Sequence, residues 1–294
     1  MKLNLNANKI EPKTAQEVQI MRIGGLIWQA IRDYLYQEVK VGMTLKQVEE
    51  LVKEQFKKYG VIPSFNKKND FPSVICLSPN SCVVHGSATN EVIKEGDKLT
   101  IDLGFEYQGL NIDSAFSVFF ELDPKNFSEE EYASKNKDLE EYKYLNQLTI
   151  AMFYASIKDL KASDLTGSIS ESMESFFKKY FPSKYSFLER FSGHGIGREL
   201  HEFPRIHNFG MKRNEGVVLP ANSTICIEPM VIEQGDGSWV VGKDGFGIYA
   251  KSSSAKTLHY EHLVLIKEEG VEVLTASLQE MNEIKSSYEI VTKF

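Results

Sequence analysis

Thr14 followed three residues later by Glu17 has the form of a capping box, and Val18, Met21, Leu26, Ile27, Ala30, Ile31 and Leu35 continue at helical spacing. Gly42 and Thr44 break and restart the pattern. Thr44 with Gln47 caps a second helix, which turns Leu45, Val48, Leu51, Val52 and Phe56 inward and stops at Gly60. Short alternating segments punctuated by Pro and Gly then predict strands to about residue 120. A helical stretch follows Ser128-Glu129-Glu130-Glu131 and runs, with breaks, to about Tyr180. Its opening, Asn126 to Lys143, is acidic and lysine-rich and reads as an exposed insertion. Strands and loops return from Gly193 to Ile266, and a polar helix-like segment closes the chain.

The order helix, helix, strands therefore occurs twice. The second helix of each set ends alike, in Phe56-Lys57-Lys58-Tyr59 and Phe177-Lys178-Lys179-Tyr180. This predicts an α+β architecture: one domain over 1–294 made of two related halves, about 12–125 and 126–270, with a site between them.

Candidate chemistry sits on the strands. In Lys98-Leu99-Thr100-Ile101-Asp102-Leu103, Asp102 alternates away from the apolar set. A hairpin centred near Tyr107-Gln108 would set Asp102 directly opposite Asp113, at a separation where two ionised carboxylates repel unless they share a proton or a cation. The bland alternative is a pair of aspartates on a solvated hairpin. Gly193-His194-Gly195-Ile196-Gly197 walls one histidine with glycine, and His201 follows seven residues later. Glu228 and Glu261 interrupt runs otherwise fit for burial, and a buried glutamate is expensive unless paired or metal-bound. No arginine follows Arg213, so lysines are the remaining structural partners. Two Asp, two Glu and one His make an oxygen-rich donor set suited to Mn, Fe, Co or Zn, and more natural for two ions than for one tetrahedral zinc.

Composition narrows the class. A formal charge of -7 lowers the expectation of nucleic-acid or anionic-membrane partners, and no apolar run is long enough for a transmembrane helix. Three cysteines (Cys76, Cys82 and Cys226) with no CxxC pair fit a reducing compartment. The chain opens without a stretch of signal-peptide length, so the cytoplasm is expected.

Five motifs in this order resemble the type I methionine aminopeptidases, metallopeptidases with the pita-bread (creatinase/aminopeptidase) fold. They are Val84-His85-Gly86, Ile101-Asp102 with Asp113 eleven residues on, the run from Gly193 to Pro204, Ile227-Glu228-Pro229-Met230, and Tyr260-Glu261-His262. The resemblance covers nearly the whole chain. It implies pseudo-two-fold halves with a curved antiparallel sheet covered by helices, and two divalent ions (Co, Mn, Fe or Zn) held by Asp102, Asp113, His194, Glu228 and Glu261. Asp113 and Glu261 would bridge, Asp102 would complete one ion, and His194 with Glu228 the other. It further implies His85 beside the scissile amide nitrogen, His201 polarising the substrate carbonyl, and Glu228 as general base. Phe71, Cys76, Leu200 and Phe246 match pocket positions, with Phe65 a further candidate; Cys82 and Cys226 are expected to be packing residues.

The activity implied is removal of the N-terminal methionine from nascent proteins and peptides, by a monomer whose partners are those N-terminal segments, with the ribosome a further candidate. No nucleic acid or membrane is expected as a direct partner, and no ribosome-docking N-terminal arm of zinc-finger or proline-rich type. Two alternatives share the fold: a proline-specific peptidase, which uses the same five ligands, and a non-catalytic binding module, which typically loses them. One departure is Gln108-Gly109-Leu110-Asn111-Ile112, which replaces the family's small glycine- and histidine-containing lead-in to the second aspartate.

Overall fold

Both capping boxes at the front of the chain form. In the computed structural model, which describes residues 9–67 and 70–293, Thr14 Oγ1 accepts from the Glu17 amide while the Glu17 carboxylate accepts from Thr14 N–H. This opens helix α1 (Ala15–Glu38). Thr44 and Gln47 make the same reciprocal pair at the start of α2 (Leu45–Tyr59), and Gly60 ends it in the left-handed conformation. Ser128 and Glu131 cap α3 (Glu129–Ile157); α4 (Thr166–Tyr180) and α5 (Leu278–Thr292) complete the α-helices among the described residues. The Asn126–Lys143 stretch starts at the last residue of a 3-10 turn (Pro124–Asn126) and continues into the solvent-facing opening turns of α3, anchored through buried Leu139 and Tyr142.

All strand pairings among the described residues are antiparallel. One sheet is built on the hairpin Lys98–Tyr107 and Leu110–Phe119, with Cys76–Pro79 and Ile62–Pro63 beside the first of these strands. The five-stranded sheet runs in the order Val271–Val273, His262–Ile266, Thr224–Ile227, Gly193–Gly195, Glu202–Ile206. A bridge between Ala115 and Glu261 joins the two. Two smaller sheets hold Thr257–His259 with Met230–Ile232 and Ser186–Phe187, and Val240–Val241 with Ile248–Tyr249 and Cys82–Val84.

Strand alternation divides the interior. On His262–Ile266, Leu263 and Leu265 join the core under α1 and α2, whereas Val264 and Ile266 join the core under α3 and α4. Thr44 and Leu165, the N-cap residues of α2 and α4, bridge to Val92 and Val218 respectively.

Helix α1 approaches the sheet through Gly24 and Gly25. A Cβ on Gly24 would lie 2.6 Å from Ile112 Cγ1, and one on Gly25 would collide with the Leu274 carbonyl, which also accepts from Gln29 Nε2 at 3.0 Å. Alanine normally favours a helix over glycine by about 1 kcal/mol. Here the clash with backbone reverses the sign. Gly25→Ala is expected to destabilise by about 1–3 kcal/mol and Gly24→Ala by less, because the Ile112 tip can move whereas the Leu274 carbonyl cannot. Urea denaturation of the two variants checks the order.

Candidate metal centre

The hairpin carrying the two aspartates turns at Gln108-Gly109, both with positive φ (50° and 83°), one residue beyond the centre expected from the sequence. Asp102 therefore faces Ala115, and Asp113 faces Gly104. The acids are diagonal neighbours on one face, not directly opposed. Gly104 belongs to the strand, not the turn: the space a Cβ would need is taken by Phe65 Cε1 at 2.6 Å and Asp113 Oδ1 at 3.0 Å. Phe65 is thus placed against one of the acids.

Both aspartates are buried, which excludes the solvated-hairpin alternative. Glu261 arrives beside them through its bridge to Ala115, and single oxygens of Asp102, Asp113 and Glu261 lie within 4.8 Å of one another. Glu228 follows the Thr224–Ile227 strand, and Asn208 Nδ2 donates to its carbonyl at 3.0 Å. His194 lies on the Gly193–Gly195 strand, with its Nε2 3.7 Å from Glu228 Oε1. Its Nδ1 contacts the Gly195 carbonyl at 2.8 Å; a proton on Nδ1 makes that a hydrogen bond and leaves Nε2 as a free donor atom. All five candidate ligands are 7% exposed or less.

Burial pushes the carboxyls of Asp102, Asp113, Glu228 and Glu261 well above their ordinary range. Like charges add to it: Glu261 acts on Asp102 and Glu228, Asp102 on Asp113, and Asp113 on Glu261. Asp102 Oδ1, Asp113 Oδ1 and Glu261 Oε1 are buried with no hydrogen-bond partner. Buried acceptors without donors, in a cluster of like charge, are what bound cations would satisfy. The residues therefore fit divalent ions, and Asp102, Asp113, His194, Glu228 and Glu261 are the candidates to hold them.

Three further imidazoles surround this cluster. His201 stacks on His194 with ring centroids 4.2 Å apart, and burial followed by the nearness of His194 and His85 lowers its basicity well below the ordinary value. His85 has a left-handed backbone (φ 60°), its ring packs edge-on to Phe191, and burial lowers its pKa to about 4. The loop bearing His201 is pinned by Lys13 to Glu202 at 2.8 Å and by the two nitrogens of Arg198 on Glu17. Asn111, in the segment that departs from the family pattern, donates from its amide and side chain to the Gly197 carbonyl, and so ties the Asp113 strand to the His194 loop.

His259 is the residue sequence reasoning missed. Its ring is buried, and its Nε2 lies 3.5 Å from Glu228 Oε2 and 3.8 Å from Glu261 Oε2. The signal was available, because His259 stands two residues before Glu261 and an extended chain sends both to one face. His262 belongs to a separate network with Tyr260, Thr275 and Ser114.

Of the pocket candidates, Phe71 and Phe246 meet edge-to-face at 5.4 Å. Phe246 is held by Asp244, which accepts from the Phe246 and Gly247 amides and from Ser87 Oγ. Cys76 pairs across the strands with Asp102, and Leu200 leans on the core under α1 and α2. The three cysteines are free and buried, and burial pushes their thiols up, so none is poised as a nucleophile. No helix among the described residues is long and apolar enough to cross a membrane.

A sequence profile for metallopeptidase family M24 matches residues 19–268. Methionine aminopeptidase 1 of Bacillus subtilis is 30% identical over 270 residues, which cover 90% of this chain and 98% of that protein. The methionine aminopeptidase of Clostridium perfringens is 32% identical over 276 residues, covering 90% of this chain and 97% of its own. Among solved structures, a methionine aminopeptidase from Thermotoga maritima superposes with a TM-score of 0.79 at 33% identity, covering 92% of this chain and 100% of that one. A prolidase from Pyrococcus furiosus shares the fold at 21% identity and a TM-score of 0.66, matched over 65% of its length.

Proposed function

The chain belongs to metallopeptidase family M24, and we propose that it removes the N-terminal methionine from peptides and nascent proteins by hydrolysing the first peptide bond with two divalent ions. The observation that carries this reading is the convergence of four buried carboxylates, three of which (Asp102, Asp113 and Glu261) present an oxygen with no protein donor. Asp102, Asp113, His194, Glu228 and Glu261 would hold the ions. Mn, Fe, Co and Zn all suit the donor set.

When bound, the ions supply Lewis-acid activation of water and of the substrate carbonyl. The protein's own groups do the rest. Glu228 takes a proton from the attacking water as its oxygen bonds to the carbonyl carbon, then returns it to the leaving nitrogen as the C–N bond breaks. Burial keeps His201 neutral at pH 7, and from there it donates a hydrogen bond to the carbonyl oxygen as charge develops. His85, also neutral, lies on the side of the scissile nitrogen and orients it. Phe71, Phe246, Leu200 and Cys76 enclose the methionine side chain, whose flexible thioether packs well against aromatic faces.

We place the enzyme in the cytoplasm as a monomer, acting on N-terminal segments as they leave the ribosome. Its three free thiols support a reducing compartment.

The test is a comparison of peptides. With Mn²⁺ or Co²⁺ added, Met-Ala-Ser is expected to release methionine while an Ala-Pro-Ala peptide is left intact; EDTA should abolish release and added metal restore it. Preferential cleavage beside proline, or no metal-dependent hydrolysis, overturns the reading.

A further inference from the structure

His259 ends the Thr257–His259 strand, paired with Met230, and is 1% exposed. Neither Nδ1 nor Nε2 has a hydrogen-bond partner. A neutral imidazole buried with both nitrogens unsatisfied is costly, and native interiors rarely leave one so. Its Nε2 points into the acid cluster, 3.5 Å from Glu228 Oε2 and 3.8 Å from Glu261 Oε2. An N–H···O hydrogen bond spans about 2.7–3.2 Å. Two donor atoms each about 2.1 Å from one ion at a tetrahedral angle lie about 3.4 Å apart. The spacing is therefore that of neighbours around a cation. The second Glu228 oxygen stands in the same relation to His194 Nε2, at 3.7 Å. Glu228 thus sits between two imidazoles.

We propose that His259 is a sixth metal ligand, binding through Nε2 the ion that His194, Glu228 and Glu261 hold. The inference rests on the metal-centre reading above and adds a second nitrogen donor to it. Imidazole suits zinc, iron and cobalt, whereas carboxylate suits manganese and magnesium. A second imidazole on one ion biases that position toward the softer metals, and distinguishes it from the position served by Asp102.

The experiment is proton NMR of the Co²⁺-loaded wild-type protein. Each coordinated imidazole keeps one ring N–H, which appears as a strongly shifted resonance that vanishes in D₂O. Two such resonances are expected. One should disappear in His194→Gln, the other in His259→Gln, and both should persist in His201→Gln. Calorimetric Co²⁺ affinity of His259→Gln should fall by about 100-fold or more, with a smaller loss for Mn²⁺. A single shifted resonance in the wild type, lost in His194→Gln, overturns the inference while leaving the metal centre intact. Loss of the second resonance in His201→Gln instead of His259→Gln also overturns it. Absence of Co²⁺ binding by the wild type removes both readings together. Should His259→Gln not fold, the wild-type count with the His194 and His201 variants still decides.

Discussion

Glu228→Gln is expected to lower kcat for methionine release by about 10²–10⁴-fold, the usual contribution of a positioned general base. The amide has nearly the shape of the carboxylate and keeps an oxygen donor, so the metal content per chain should stay close to that of the wild type. It cannot accept the proton of the attacking water. The residue is buried, its carbonyl is anchored by Asn208, and its two oxygens face His194 and His259, so the substitution leaves little room for the side chain to swing away. KM for Met-Ala-Ser should change far less than kcat, because the hydrophobic grip on methionine is proposed to lie with Phe71 and Phe246, which meet edge-to-face. Stopped assays on metal-loaded protein, with metal counted by mass spectrometry, measure both quantities. Turnover close to wild type would remove Glu228 from the proton-transfer role. Loss of metal together with activity would reduce it to a ligand.

The positions of the acids along the chain were legible because polar residues stand out in runs that otherwise demand burial. The helix boundaries were legible for a related reason: a capping box is a purely local contract, and those at Thr14, Thr44 and Ser128 need nothing from the rest of the fold. Hairpin register was not local. Two glycines, Gly104 and Gly109, compete for the turn between Asp102 and Asp113, and the sequence offers no sign that Phe65, some forty residues earlier, fills the space beside Gly104. The turn instead closes on Gln108-Gly109, where both residues take positive φ, and this sets the aspartates diagonal, not opposed. His259 was hidden differently. In Leu258-His259-Tyr260-Glu261-His262 two histidines flank the glutamate, and only strand parity separates the one that shares its face from the one held by Thr275 and Tyr260. The role of Asn111 as a tie to the Gly197 loop depends on a contact across the chain that no local pattern encodes.

Stability gained from metal should rise steeply with pH. In the metal-free protein the four carboxyls are pushed well above the values near 4 that they have when unfolded. Below about pH 4 both states are protonated and the acids cost nothing. As pH rises toward the folded values the unfolded chain ionises first, binds fewer protons than the folded one, and stability falls. The buried histidines act in the opposite sense. His85 and His194 are lowered to about 4 and His259 and His262 to about 3, so their destabilising effect begins as pH drops through the unfolded value near 6.5. Above about pH 7 they are neutral in both states, and the acids alone set the slope. Metal requires ionised carboxylates and neutral imidazoles, so binding displaces protons from the acids. Each proton displaced adds about 1.4 kcal/mol of metal-dependent stabilisation per pH unit. For a chain of this size that is roughly 2–4 °C in Tm for every kcal/mol. Thermal melts of EDTA-treated and Mn²⁺-loaded protein should therefore diverge as pH is raised from 6 to 8, and calorimetry in buffers of different ionisation enthalpy should find at least one proton released per chain at pH 7. A pH-independent gap between the two melts, with no proton release, would mean that the acids are already ionised without metal and that another positive partner balances them.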